Sequence, residues 1–148
     1  MKKKIILEII VGAFVLLFMY AGLSKLFILE GFGRRIEATL HTTHFIGKSL
    51  GVLLIVAEIV TALAFFKNSL RLLALWSSLI LMTIFTVYIA SILSFAEHVP
   101  CSCGGILQNM SWTTHLIFNI VFIALALTGI VLEKRNSTNF GEPLQQRI

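Results

Sequence analysis

The chain holds its only two cysteines, Cys101 and Cys103, one residue apart in a short polar gap between two long apolar runs. A lone Cys-x-Cys is typical of a redox pair or of part of a metal site. Cysteines at this spacing approach disulfide distance only where the backbone bends, so a bond between them should be strained and easily reduced. It would close almost no loop and would add little stability. The spacing therefore favours thiol–disulfide exchange over a structural disulfide, although two ordinary loop cysteines remain an alternative.

The residues around the pair fit an exchange site. Pro100 stiffens the approach to Cys101, while Gly104 and Gly105 carry no side chains that would block a partner protein. His98 lies three residues before Cys101 and would favour a thiolate if it were protonated or hydrogen-bonded. These four residues are the predicted support of the cysteine pair.

A metal site is the second hypothesis for the same loop. His98, Cys101 and Cys103 could combine with two histidines of an earlier connection, His41 and His44, in a mixed nitrogen and sulfur site for zinc or copper. Cys-x-Cys is tighter than the usual zinc spacing of two to four intervening residues. The histidines could also be simple polar loop residues, so the metal hypothesis stays open.

The composition is that of an integral membrane protein. Hydrophobic residues make up 57% of the chain and charged residues 13%, against about 25% charged in globular proteins. The formal net charge is +5, but the basic residues flank apolar runs, which is how membrane proteins set their orientation. We therefore predict that the chain lies in a lipid bilayer and that it does not bind nucleic acid.

Four apolar runs predict four membrane-spanning helices. They cover about residues 5–29, 48–66, 70–95 and 112–132. At 1.5 Å per residue each can cross a hydrocarbon core of roughly 30 Å. The first run is longer than the apolar core of a signal peptide, so we expect it to be retained. Short connections favour an all-α, antiparallel four-helix bundle as one domain over residues 1–135, followed by a polar mobile tail, 136–148.

The distribution of Lys and Arg predicts the orientation. The two termini and the second connection hold eight of these residues, the first connection with its flanks holds four, and the cysteine loop holds none. The positive-inside rule then places both termini in the cytoplasm and the cysteine loop outside. Outside a bacterial inner membrane the loop would meet an oxidising compartment.

Polar residues inside the predicted spans are further candidates. Glu58 lies within the second span, where a carboxylate is costly and implies a partner or a function, either structural or in quinone or proton chemistry. Lys25, near the outer end of the first span, is its candidate partner. Asn119 in the fourth span could hydrogen-bond between helices.

The first connection, about residues 30–47, begins with two closely spaced glycines. Gly31-Phe32-Gly33 predicts the exit of the first helix. Arg34 and Arg35 follow, and the sequence leaves open whether they bind an anionic group.

Three stretches resemble the MauE/DoxX-type redox-associated membrane proteins. The first runs from Gly12 to Lys25 and ends Tyr-Ala-Gly-Leu-Ser-Lys, and the second runs from Gly51 to Ala62 around Glu58. The third and most specific is Pro-Cys-Ser-Cys-Gly-Gly, followed by Ser-Trp and the helix that carries Asn119. Together they span most of residues 5–132.

The resemblance implies a four-helix bundle that works with thioredoxin-like periplasmic proteins in forming or transferring disulfides. In the methylamine-utilisation member it implies maturation of a disulfide-rich partner, and it makes Cys101 and Cys103 the exchanging pair. DoxX relatives are also linked to quinone-dependent complexes, and some lack the cysteines. Gly104 stands where some relatives carry a bulkier aromatic residue, which leaves the preferred substrate open.

The leading hypothesis is an inner-membrane thiol–disulfide exchange protein. It would relay electrons between a periplasmic thioredoxin-like partner and a quinone or a second protein. The alternatives are a non-catalytic subunit that anchors a larger membrane complex and a metal-handling protein that uses His and Cys. The direction of electron flow, the cysteine that attacks first and the oligomeric state are not determined by the sequence.

Overall fold

The computed structural model describes residues 2–40, 43–95 and 112–140, and all regular structure in these ranges is helical. The long helices are α1 (Lys2–Phe27), α2 (Leu29–Leu40), α3 (His44–Ala64), α4 (Arg71–Phe95) and α5 (Trp112–Phe140). A short 3₁₀ helix, Asn68–Leu70, leads directly into α4. The prediction of an all-α fold is confirmed.

Four of the helices are long and apolar enough to cross a membrane. The spanning segments are Lys3–Phe27, His44–Ala64, Asn68–Ser91 and Thr113–Asn136. Helix α1 packs against α3 and α4 packs against α5, while contacts of α1 with α5 and of α3 with α4 close the bundle. The chain is a multi-pass membrane protein built as a four-helix bundle, as predicted. Its orientation in the membrane stays a prediction.

The middle of the bundle is a cluster of phenylalanines. Phe14 is fully buried and stacks with Phe18 and Phe65 at ring-centroid distances of 5.9 and 6.0 Å. The ring of Phe122 meets Phe14 edge-on at 5.3 Å. These contacts join α1, α3 and α5, so the core is fixed by aromatic packing between three helices.

Many large apolar side chains point away from this core. Leu16 is 73% exposed, Ile9 66% and Leu53 65%. In water such a surface would be unfavourable, whereas lipid chains are as apolar as these side chains. The outward apolar surface is what a membrane-embedded bundle requires.

The first connection contains a helix. Gly31 and Gly33, which were predicted to mark the exit of the first helix, lie inside α2, so this prediction is wrong. Helix α1 ends at Phe27, and α2 begins after one turn residue, Ile28. The two glycines are tolerated because α2 is amphipathic and buries Ile36 and Gly33, the latter against Lys48 of α3.

The start of α3 packs closely on α2 through two glycines. A methyl group added to Gly47 would lie 2.6 Å from the carbonyl oxygen of Gly33 and 3.0 Å from the Cβ of Glu37. No side chain fits between backbones at these distances. The two glycines therefore fix how α2 and α3 cross.

The last helix is longer than the fourth apolar run. Helix α5 continues to Phe140, into the segment that the sequence analysis assigned to a polar tail. Residues 141–148 lie outside the described ranges, and the mobility of the tail stays a prediction.

Candidate functional site

The cysteine loop connects α4 to α5 at one end of the bundle. Cys101 and Cys103, together with His98, Pro100, Gly104 and Gly105, lie outside the described residues. The described chain resumes at Trp112, three residues before His115. The described part of the site is the group of side chains at the end of the bundle to which the loop is joined.

An ion pair between α1 and α3 lies at this end. The Nζ atom of Lys25 donates a hydrogen bond to Oε1 of Glu58. The Glu58 side chain is fully buried, and the Lys25 side chain is 17% exposed. Burying these charges is tolerable because each compensates the other. The structure thus brings together the two charged residues that the sequence analysis considered as partners.

A small residue makes room for Glu58 on the facing helix. A Cβ atom added to Gly22 would lie 2.9 Å from Cγ1 of Ile59 and 3.7 Å from Cβ of Glu58. Gly22 precedes Lys25 by three residues and so lies on the same side of α1. This close approach lets α3 bring its carboxylate to the ammonium group.

Helices α4 and α5 complete the surroundings of Lys25. The ammonium nitrogen lies 5.0 Å from the ring centroid of Phe85 on α4, within the range of a cation–π interaction. The charge of Lys25 also acts on the half-buried imidazole of His115 on α5. Lys25 of α1 therefore contacts α3 and α4, and its charge reaches the start of α5.

Asn119 lies one helical turn beyond His115, on the same face of α5. Its side chain is 2% exposed, and its Nδ2 atom has no hydrogen-bond partner in the described part of the chain. The Oε2 atom of Glu58 is likewise buried with no such partner. Buried polar atoms are ordinarily hydrogen-bonded. Within the described residues, α5 therefore holds one buried amide donor without a partner and α3 holds one such carboxylate oxygen.

A second ion pair lies at the opposite end of α1. Arg71 donates two hydrogen bonds to Glu8, from Nη1 to Oε1 at 2.6 Å and from Nη2 to Oε2 at 3.1 Å. Glu8 and Lys25 are 17 residues apart along α1, or about 25 Å at 1.5 Å per residue. The two ion pairs therefore lie near opposite edges of the apolar layer.

The alternative metal site is largely outside the described residues. His41, His98, Cys101 and Cys103 are not described, and Nδ1 of His44 lies 3.0 Å from Oε2 of Glu37. No group of three His, Cys, Asp or Glu side chains that could hold a metal ion occurs within residues 2–40, 43–95 and 112–140. The metal hypothesis remains a prediction.

The two arginines of the first connection lie on α2. Nη2 of Arg34 lies 3.9 Å from Oε2 of Glu30, one turn away on α2, and both side chains are largely exposed. Such a pair contributes little to stability. Arg35 also belongs to α2. A role for either residue in binding an anion stays open.

His115 is the residue of this site that the sequence analysis missed. The signal was present, because His115 and Asn119 are four residues apart and must share one face of an apolar helix. A histidine so close to the start of a span reads as an interfacial residue until its neighbours are known. Only the packing of α5 against α1 brings it to Lys25.

The family comparison agrees with the resemblance found in the sequence. A family model described as "Methylamine utilisation protein MauE" matches residues 3–132. The match covers the cysteine loop and both members of the buried ion pair. It confirms the MauE part of the resemblance, whereas a relation to DoxX stays a prediction. No curated protein and no solved structure gives a significant match.

Proposed function

The chain belongs to the MauE family, and on this premise we propose that it is a membrane-embedded thiol–disulfide exchange protein with Cys101 and Cys103 as its reacting pair. The observation that carries the proposal is that the only two cysteines of a family member stand one residue apart, in a loop between two spanning helices. Because the family description concerns methylamine utilisation, we assign the exchange to the maturation of a protein of that process.

The proposed reaction needs only the two thiols and a partner disulfide. One cysteine, as thiolate, attacks a sulfur of the partner; the partner's S–S bond breaks and a mixed disulfide forms. The second cysteine, as thiolate, then attacks the first, releasing the partner as a dithiol and leaving a Cys101–Cys103 disulfide. Two electrons pass to the partner, and its two leaving thiolates take up the protons that the pair lost. The reverse sequence oxidises a partner.

The loop would react on the outer side of a bacterial inner membrane. The distribution of Lys and Arg supports this orientation, since the cysteine loop holds none of them. A thioredoxin-like protein of the outer compartment is the proposed partner, because its exposed thiol pair could reach a loop flanked by Gly104 and Gly105. In the direction that oxidises the partner, the electrons would pass from the reduced cysteine pair to a quinone or to a second protein.

The first experiment traps the thiols in intact cells with a membrane-impermeant maleimide, before and after reduction. Mass spectrometry then counts the labels on Cys101 and Cys103. We expect a mixture of reduced and oxidised pairs that changes when the partner protein or the quinone supply is removed. A pair that is always oxidised and indifferent to both would reject exchange and favour a structural subunit. Labelling only after membrane disruption would reject the orientation.

A variant with Cys101→Ser and Cys103→Ser completes the test. We expect it to insert normally and to leave disulfides of the partner unformed. A matched control is Ser102→Ala, which keeps both thiols and the length of the loop. Normal disulfide formation with the double variant would reject the proposed chemistry. Metal bound stoichiometrically to the wild-type protein and lost in this variant would replace it with the metal hypothesis.

A further inference from the structure

We propose that Glu58 is a proton-binding site within the membrane, which takes up and releases one proton through His115 and Lys25 from the end of the bundle that carries the α4–α5 loop. An ionisable residue inside a membrane span is by default a candidate for function. The proposal goes beyond the thiol chemistry of the loop and does not depend on it. It follows from the two oxygens of Glu58, the groups around them and the exposure of the side chains that lead to them.

The two carboxylate oxygens of Glu58 have different surroundings. Oε1 accepts the hydrogen bond of Lys25, whereas Oε2 is buried with no hydrogen-bond partner among the residues described. A buried carboxylate needs hydrogen bonds to keep its charge. A proton bound at Oε2 converts the carboxylate to a neutral acid and leaves the Lys25 contact in place. The step adds one proton and oxidises nothing.

Among the described residues, Lys25 of α1 is the cation that acts directly on this carboxylate. The charge of Lys25 also reaches His115 of α5. Helix α4 contributes the ring of Phe85 beside the ammonium, with Tyr88 three residues further along that helix. Proton uptake therefore changes a buried pair from neutral to singly positive, with an aromatic ring placed to stabilise the cation.

Helix α2 is the remaining element packed on α3, and the charged side chains that the structure describes on it lie away from Glu58. The side chains of Glu30 and Arg34 are 78% and 70% exposed and interact with each other. Glu37 interacts with His44 at the first turn of α3, 14 residues before Glu58. At 1.5 Å per residue this is about 20 Å away along the helix. Burial and the ion pair with Lys25 are therefore what act on the carboxylate of Glu58.

The exposure of these residues falls in the order that a proton path requires. His115 is half-buried in the first turn of α5, Lys25 is 17% exposed, and Glu58 is fully buried. A proton that enters at the loop end meets the imidazole of His115 first, and an imidazole nitrogen can bind a proton and release it again. It then reaches the ammonium and carboxylate of the buried pair.

The other inter-helix ion pair shows what a purely structural pair looks like in this bundle. Both oxygens of Glu8 accept hydrogen bonds from Arg71, and the Glu8 side chain is 45% exposed. Its carboxylate therefore has both oxygens hydrogen-bonded and is partly exposed, in contrast to that of Glu58. Glu8 is therefore the matched control for Glu58.

The sequence allows a single carboxyl group to be observed. All seven acidic residues are glutamates, so Glu58→Asp expressed with ¹³C-carboxyl aspartate gives one labelled carboxyl group in the full chain. Infrared spectra in lipid nanodiscs would follow it from about pH 5 to about pH 9, around the range where histidine titrates. We expect a protonated-acid band that is lost as the pH rises. The same label in Glu8→Asp is the control and should lack this pH-dependent band, because both oxygens of the Glu8 carboxylate accept hydrogen bonds.

A second measurement keeps the native side chain. A hydrophobic carbodiimide modifies carboxyl groups that are protonated in an apolar environment. We expect it to label Glu58 in the wild-type protein, with a yield that falls as the pH rises. Glu58 should be labelled with the same yield in the Glu8→Gln variant. Glu58→Gln should lose the adduct. A band that stays ionised at every pH, together with carbodiimide labelling that Glu58→Gln does not change, would overturn the proposal.

The path itself is tested at His115. We expect His115→Phe to slow hydrogen–deuterium exchange at the labelled carboxyl group at least tenfold without moving its infrared band. An unchanged exchange rate would reject the route through His115. The Cys101→Ser, Cys103→Ser variant should titrate as the parent does. Failure of the thiol chemistry and failure of the proton site are therefore separate results.

Discussion

The ammonium group of Lys25 and the carboxylate of Glu58 form an ion pair that joins the first and third helices across 33 residues of sequence. The Glu58 side chain is fully buried, whereas every side chain in the other ion pairs given for the described residues is at least partly exposed. The contact holds α1 against α3 at the level where Gly22 lets the helices approach. Lys25 occupies only Oε1 of the Glu58 carboxylate and leaves Oε2 without a partner among the described residues. The same residue pair therefore holds two helices together and leaves one oxygen to bind a proton.

Removing the cation alone should destabilise the protein strongly. Lys25→Met leaves Glu58 buried without its partner, and we expect the free energy of unfolding to fall by about 3 kcal/mol. Unfolding in mixed detergent micelles, followed by circular dichroism, would measure the loss.

The matching double variant, Lys25→Met with Glu58→Gln, removes both charges. We expect it to recover more than half of the stability lost by Lys25→Met, because no charge is then left uncompensated. Equal losses in the single and double variants would show that the pair is not energetically coupled.

The ion pair at the other end of the bundle should matter less for stability. Glu8 and Arg71 are both partly exposed, and exposed ion pairs contribute about 1 kcal/mol or less. We expect Glu8→Gln to lower the free energy of unfolding by no more than this amount in the same assay. A loss as large as that of Lys25→Met would contradict the contrast between the two ends.

The glycine crossing of α2 and α3 gives a steric prediction. In Gly47→Ala the new methyl group would meet the carbonyl oxygen of Gly33 at 2.6 Å, and neither backbone can move without separating the helices. We expect a loss of about 1–3 kcal/mol, as for other overpacked sites. Thermal unfolding would detect it as a lower midpoint.

Gly12→Ala is the control for that substitution. Nothing lies within 4 Å of a Cβ atom added there, and alanine is favoured over glycine in a helix by about 0.5–1 kcal/mol. We expect unchanged or slightly higher stability. If both alanine variants behave alike, the close crossing at Gly47 is not the cause.

Asn119 separates a structural role from a functional one. Its Nδ2 atom is buried with no partner within the described chain, so Asn119→Leu removes an unsatisfied donor and should change the free energy of unfolding by less than about 1 kcal/mol. A structural interhelical hydrogen bond would instead make the variant clearly less stable. The measurement is denaturant unfolding beside the wild-type protein, with carbodiimide labelling of Glu58 as the second readout.

The sequence predicted the class of the fold because hydrophobicity acts locally. Each apolar run long enough to span a bilayer became a helix, with nearly the predicted bounds for the first three runs and a longer extent for the fourth. The runs alone were enough to predict the four-helix bundle. The first connection was predicted less well. Gly31 and Gly33 read as a helix exit because local propensity treats glycine as a breaker, whereas the packing of α2 on α3 outweighs that propensity.

The sequence likewise identified some features of the candidate site and not others. Cys101 and Cys103 could be chosen from the sequence because two reactive side chains one residue apart need no fold to bring them together. Lys25 and Glu58 could be chosen as charges inside apolar runs and named as candidate partners, but the sequence could not show that the two side chains meet. The meeting of Lys25, Glu58, Phe85 and His115 depends on the relative rotation and depth of four helices. That arrangement is set by side-chain packing across the bundle. The phenylalanines around Phe14 and the close approach of α1 and α3 at Gly22 are parts of this packing. It exists only in the tertiary structure.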